Sequence, residues 1–156
     1  MKTGLYIGRF QPFHNGHLAV IKQALTSVDH LYIGIGSSNV SNDENPFTFE
    51  QRKEMIMTTL EAFTSQQRYT ITAIPDFHNN ERWMEFIAKS LPTPDVVFSG
   101  NPVVIGLFEA VGIPVYILNS RWSYISGTEI RGRMITGAEW RSMVPNTVAN
   151  IVLKLI

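Results

Sequence analysis

The chain has no cysteine in its 156 residues. That excludes a disulfide framework and any zinc site built on thiolates, and it fits a reducing compartment. Charge of either sign is not in excess, since lysine plus arginine and aspartate plus glutamate number 13 each. A nucleic-acid binder needs a basic stripe and an acidic tail needs a run of carboxylates, so neither class fits. No apolar run is long enough for a membrane span, and Lys2 is followed by only a few apolar residues before Gly8 and Arg9, which does not make a signal peptide. The expectation is a cytoplasmic protein whose partners include neither membrane nor nucleic acid. Gly-x-x-x-x-Gly-Lys-Ser/Thr is absent, and Gly34-Ile35-Gly36-Ser37-Ser38-Asn39 lacks the third glycine of the dinucleotide fingerprint. Histidine is scarce, so a metal reading of His14 and His17 could draw only on His30 and His78, and no metal site is expected.

What is present is an alternation. Short apolar runs at residues 5–7, 31–35, 69–74, 95–98 and 115–118 are separated by stretches with apolar residues at helical spacing. The first such stretch carries Leu18, Ile21, Ala24, Leu25 and Val28. The second, opened by Thr48 and Gln51 at capping-box spacing, carries Met55, Ile56, Thr59, Leu60 and Phe63. Further helices are expected around 83–90 and 103–111, and the tail is helical with a break at Pro145. Such alternation means an α/β fold, a doubly wound, Rossmann-like parallel sheet with helices on both faces. The length suits a single domain over 1–156 with a sizeable core.

In open parallel sheets ligands bind outside the carboxyl ends of the strands, where strand order reverses. The loops expected there are 8–15, 36–46, 76–80, 99–102 and 119–128. In the first, Gly8, Arg9 and Phe10 lead from a strand into a turn, and His14-Asn15-Gly16-His17 opens a helix. A helix N-terminus offers free N–H groups and the positive end of its dipole to an anion, and Gly16 lets backbone approach closely. Arg9 adds a fixed positive charge and the two imidazoles add donors. The bland alternative is a helix cap plus a packed imidazole. A second constellation is Ser126, Gly127, Thr128, Glu129 and Arg131: Ser126 and Glu129 have capping-box spacing, while Gly127 implies a close backbone approach and Thr128 and Arg131 share a face. Gly100 and Asn101, at a strand end before a helix, are either a backbone wall for a nucleotide or an ordinary turn. Trp83, shortly after Asp76 and Asn80, is either core or a stacking platform. Trp122 and Trp140 read as core or interface, and Asp43 and Glu44 as solvated loop carboxylates.

Taken together, Gly8-Arg9-Phe10-Gln11-Pro12-Phe13-His14-Asn15-Gly16-His17 and Ile125-Ser126-Gly127-Thr128-Glu129-Ile130-Arg131 resemble the paired signatures of the HxGH nucleotidyltransferases. Ile35-Gly36-Ser37, Asn45-Pro46-Phe47-Thr48, Ser99-Gly100-Asn101-Pro102 and Trp140 with Val144-Pro145 resemble the archaeal-type nicotinamide mononucleotide (NMN) adenylyltransferase branch. The resemblance implies that ATP and NMN are substrates and NAD and pyrophosphate products. It implies that His14 and His17 touch the triphosphate, Arg131 holds its outer end and Arg9 lies near the reacting phosphates. Gly8, Phe10, Gly16, Gly100, Asn101, Ser126, Gly127 and Thr128 would complete the ATP site, and Asp76, Asn80 and Trp83 would hold the nicotinamide half. It further implies a homo-oligomer and Mg²⁺ carried mainly by the ATP phosphates. Two features depart from the pattern: the loop 38–44 is a residue short and lacks a histidine, and Glu44 stands where many relatives have a basic residue.

The residue set suits that chemistry. A phosphate monoester, with second pKa of about 6, is mostly dianionic near neutrality, so it attacks phosphorus without a protein base. Two polyanions must be brought together and the transferring group stabilised, which cations, imidazole donors and amides do. Rival expectations are transfer to nicotinate mononucleotide, flavin mononucleotide or phosphopantetheine, and a non-catalytic nucleotide sensor.

Overall fold

The computed structural model describes residues 1–118 and 125–156. Five parallel strands run β1 (Thr3–Gly8), β2 (His30–Ile35), β3 (Tyr69–Ala73), β4 (Val96–Ser99) and β5 (Val115–Ile117). They lie side by side in the order β3-β2-β1-β4-β5. Strand order therefore reverses between β1 and β4. The register sets Tyr6 beside Ile33 on one side and beside Phe98 on the other.

Side-chain alternation divides the core between the two faces. Tyr6, Leu31, Ile33, Ile35 and Phe98 point to one face, where α1 (Asn15–Ser27), α2 (Phe49–Leu60), α5 (Gly127–Thr136) and α6 (Asn146–Leu155) supply Ile21, Ala24, Met55, Ile56, Ile130 and Val148. Leu5 and Val97 point to the other, against Ile87 of α3 (Asn80–Ser90) and Phe108 of α4 (Pro102–Ala110). The expected doubly wound sheet is what the chain forms. At the amino edge of the sheet, Asp29 and Asp95 accept from the N–H groups of Lys2 (2.7 Å) and Thr3 (2.8 Å), sealing the end away from the loops of interest.

Local sequence explains where helices start. Thr48 and Gln51 form the expected capping box at α2. Asn79 caps α3, so that helix begins at Asn80, a turn earlier than expected. Asn101 caps α4 with Pro102 in its first turn, where a missing N–H costs nothing. Pro145 stands immediately before α6. One expectation fails: Phe63 is not on the inner face of α2, which ends at Leu60. It is 51 % exposed and lies under the Lys22 ammonium, 3.7 Å from its ring centroid. Trp140 is buried as core, while Trp122 lies outside the described residues. No helix among the described residues is long and apolar enough to cross a membrane.

Ile21, fully buried, ties α1 and hence its histidine-bearing N-terminus to the sheet. Ile21→Ala should cost roughly 2–5 kcal/mol in urea denaturation, and a loss below about 0.5 kcal/mol would show that α1 is held otherwise.

Candidate active site

The loops at the carboxyl ends of β1 and β2 are tied together first. Gly36 N–H donates to the Gly8 carbonyl at 2.8 Å, and the buried Gln11 side chain clamps the Phe47 backbone through both its carbonyl (3.0 Å) and its N–H (2.9 Å). Phe10, though not glycine, has φ 52°, and its ring is almost wholly buried. The Gln11–Pro12 peptide is cis.

His14 is the N-cap of α1. Its Nδ1 accepts from the N–H groups of Gly16 (3.1 Å) and His17 (3.3 Å), and its own N–H donates to His17 Nδ1 at 3.1 Å. Two imidazoles thus make a capping box, the place usually taken by Ser/Thr and Glu/Gln. This changes one expectation. The Gly16 and His17 amides are not left open to an anion, because the His14 ring satisfies them. The same bonds fix both tautomers: an Nδ1 that accepts carries no proton, so each neutral ring has its proton on Nε2. Neither Nε2 has a partner among the described residues. The rings stack 3.5 Å apart at 17°, with Phe13 on the outer side of His17 (5.7 Å) and the Phe10 edge at 4.7 Å. Burial pushes His14 down to about 4 and His17 well below its ordinary value, with the charge of His14 opposing His17 further. Near neutrality the pair is two uncharged Nε2–H donors.

The second constellation packs onto the same turn. Ser126 caps α5 through the Glu129 N–H (3.1 Å), but Glu129 turns its carboxylate to Arg133 (2.9 Å) rather than closing the box. Gly127 is needed because a Cβ there would lie 2.9 Å from the Gln11 carbonyl oxygen and from Arg131 Nη1. Arg131 donates to that carbonyl from Nη1 (2.7 Å), and its Nη2 lies 3.4 Å from Thr128 Oγ1, the shared face expected from spacing. Burial lowers the Arg131 pKa, the charge of Arg9 pushes the same way, and Glu44 opposes both. Arg9 and Glu44 thus lie close enough for Arg131 to feel their charges, and Asn42 and Asp43 of the Glu44 loop line one groove with Arg131. Arg9 is exposed.

Beside this lies a cavity of about 320 Å³ lined by Asp76, Asn80, Trp83, Asn101, Val103 and Leu107, among others. Asp76, Asn80 and Trp83 come together as expected. Asn101, expected with ATP, lines this cavity too; its Oδ1 caps α4 by accepting from Val103 (2.9 Å) and Val104 (3.4 Å). Trp83 is half-buried, edge-on to Phe108 at 6.2 Å, so it is both core and wall. Asp76 is held by Ser37 Oγ (3.0 Å), and Asn39 brackets its backbone at 2.8 and 3.1 Å. A larger, mostly apolar groove of about 670 Å³ between α3 and α4 includes Asn80 but none of the other residues named for the site. Ser37 and Arg52 were missed in the sequence. Arg52 is fully buried beneath the two loops and donates to the carbonyls of Arg9, Gly36 and Thr48 at 2.8, 2.8 and 3.2 Å. The only sequence signal was an arginine among the inward-facing positions of an amphipathic helix.

The family model described as cytidylyltransferase-like matches residues 5–133. The nicotinamide-nucleotide adenylyltransferase of Thermococcus kodakarensis is 39% identical over 99% of this chain and 84% of its own length, and that of Methanococcus aeolicus 42% over 95% and 86%. The chain belongs to the nicotinamide-nucleotide adenylyltransferase family, of cytidylyltransferase-like fold. Among solved structures it is similar to a bifunctional NMN adenylyltransferase/ADP ribose pyrophosphatase of Francisella tularensis, solved with AMP and a manganese ion: TM-score 0.78, 28% identity, 92% of this chain. It spans only 44% of that protein, which carries two activities. The two constellations, distant in sequence, meet here at the Gln11 carbonyl.

The histidine geometry makes a direct prediction. In ¹⁵N and ¹³C spectra of the free protein, His14 and His17 should show an unprotonated Nδ1 and a protonated Nε2 and should not titrate between pH 8 and about 5. A midpoint near 6.5 for either ring would contradict it. Because a base with a lowered pKa takes up its proton first in the unfolded chain, the stability linked to His14 is complete above about 6.5 and is lost progressively as pH falls toward 4.

Proposed function

We propose that the chain transfers the adenylyl group of ATP to NMN, forming NAD and releasing pyrophosphate. The observation that carries this is a convergence at the switch point between β1 and β4. The two neutral Nε2–H imidazoles and Arg131 are fastened to the turn after β1 that also carries Arg9, and Asp76, Asn80 and Trp83 line one cavity. The relatives' shared name supports the choice of acceptor.

On this reading the NMN phosphate attacks the α-phosphorus of ATP and the bond to the β-phosphate oxygen breaks, the electron pair leaving on pyrophosphate. His14 and His17 donate from Nε2 to the triphosphate, Arg131 holds its outer end, and Arg9 offsets charge on the transferring group. Neutral imidazoles suit this, since they stabilise growing oxygen charge without giving up a proton to a nucleophile that must stay dianionic. Gly8, Phe10, Gly100, Asn101, Ser126, Gly127 and Thr128 form the ATP surroundings, to which Gly16 contributes the room left by its missing side chain and not its amide, which His14 holds. Mg²⁺ would be held mainly by the ATP phosphates and would supply charge neutralisation there. It is a hard cation that favours phosphate oxygens and water, and no three His, Asp or Glu side chains converge among the described residues. The Asp76 carboxylate beside Trp83 favours a cationic ring bearing a neutral amide over one bearing a carboxylate.

The test is to supply ATP, Mg²⁺ and, separately, NMN, nicotinate mononucleotide, flavin mononucleotide and phosphopantetheine, and to follow dinucleotide and pyrophosphate by chromatography. NAD should form fastest, from NMN; faster reaction of another acceptor would displace the reading of the cavity, and no product at all would favour a sensor. His17→Ala should lower turnover by roughly 10²-fold or more, as loss of one oriented donor does, and near-normal turnover would remove His17 from the mechanism. Trp83→Ala should weaken NMN binding more than ATP binding in calorimetry, whereas equal weakening would make Trp83 core alone.

A further inference from the structure

Arg52 is a full cation with no exposure and no carboxylate partner among the described residues. Burying a guanidinium is costly unless its donors are satisfied, and here only main-chain carbonyls satisfy them. One nitrogen, Nη1, takes both the Arg9 and the Gly36 carbonyls at 2.8 Å; Nη2 lies 3.5 Å from the Ser37 carbonyl, and Nε is anchored on its own helix at Thr48. Arg52 thus grips the ends of two adjacent strands, β1 and β2, from below.

A trans peptide is planar, with its C=O and the following N–H on opposite sides. Drawing the Arg9 carbonyl down turns the Phe10 N–H up, and drawing the Gly36 carbonyl down does the same for the Ser37 N–H. Neither N–H donates to any acceptor among the described residues. Both residues have left-handed backbone, at φ 52° and 49°, though neither is glycine. Such a conformation is uphill for a side-chain-bearing residue, and outward N–H groups around it form a concavity for anions. The two donors bracket the site: the Phe10 ring lies against His17 at 4.7 Å, and Ser37 Oγ holds Asp76 at 3.0 Å.

We propose that Arg52 is a positioning residue: by holding the Arg9 and Gly36 carbonyls on one guanidinium nitrogen it aims the Phe10 and Ser37 N–H groups at phosphate oxygens, the first from the histidine side and the second from the Asp76 side. The buried charge below and the phosphates above complete each other through these two polarised peptides. The assignment of the two sides rests on the adenylyl-transfer reading; the anion donors themselves do not.

The wild-type protein is titrated with inorganic tripolyphosphate while its backbone amides are followed by ¹⁵N–¹H spectroscopy. The Phe10 and Ser37 amide protons should move downfield and saturate. In Arg52→Lys, which keeps the charge but loses the Nε anchor on Thr48 and the rigid fork that fix where the terminal nitrogen sits under the two carbonyls, these two shifts should shrink, and kcat should fall about 10-fold or more with KM for either substrate changed less than about 3-fold; Arg52→Met should lose about 10²-fold or more. Static Phe10 and Ser37 resonances at saturating tripolyphosphate, or folded Arg52→Lys protein with wild-type kcat, would overturn the proposal. If Arg52→Met does not fold, the titration and Arg52→Lys decide. Wild-type protein that makes no dinucleotide but shifts these amides would lose the transfer reading and retain this one.

Discussion

The site depends on one constraint: the chain between β1 and α1 turns its carbonyls inward onto guanidiniums. Arg52 takes the Arg9 carbonyl from below and Arg131 takes the Gln11 carbonyl from the side, while the Gln11 side chain fastens the turn to Phe47. A loop that satisfies its acceptors inside the protein is left with donors to present outside. The requirement reaches far along the chain, because Arg131 is brought up by α5 only if residue 127 has no side chain. Sheet, α2 and α5 thus meet in a few peptide groups, and the two signatures so distant in sequence are one structure in space.

The same economy shapes the histidines. Each ring spends Nδ1 on backbone and so is left with a proton on Nε2, and burial keeps both uncharged. An uncharged donor can serve a phosphoryl transfer without competing for the nucleophile's electrons, and the fixed charge comes instead from arginines that never titrate near neutrality. The two properties, capping and donation, do not exclude one another. The bland account of His14 as a helix cap is correct, and it is also the reason its other nitrogen is available.

Much of this was legible in the residues. Apolar runs and helical spacing carried the doubly wound sheet, since the central runs had to be buried on both faces, and the caps at Thr48 and Ser126 were visible because capping chemistry is local. Gly127 announced a close approach, although not that the Gln11 carbonyl would be its object. Arg52 was only faintly legible, for a physical reason: its place among the inward-facing positions of α2 marks it as buried, but only tertiary structure reveals the carbonyls converging on it. Ser37 was hidden likewise, because its bond to Asp76 spans two loops. Phe63 misled in the opposite direction, as an aromatic at helical spacing one turn past the point where α2 stops.

The central claim is that oriented donors, not a protein base, carry the chemistry. The most direct measurement is the pH dependence of NAD formation from NMN at saturating ATP and Mg²⁺. The account predicts a single acidic limb that follows the second ionisation of the NMN phosphate, about 6, and a plateau above it. A rate that keeps climbing above neutrality, through an ionisation belonging to the protein, would contradict it.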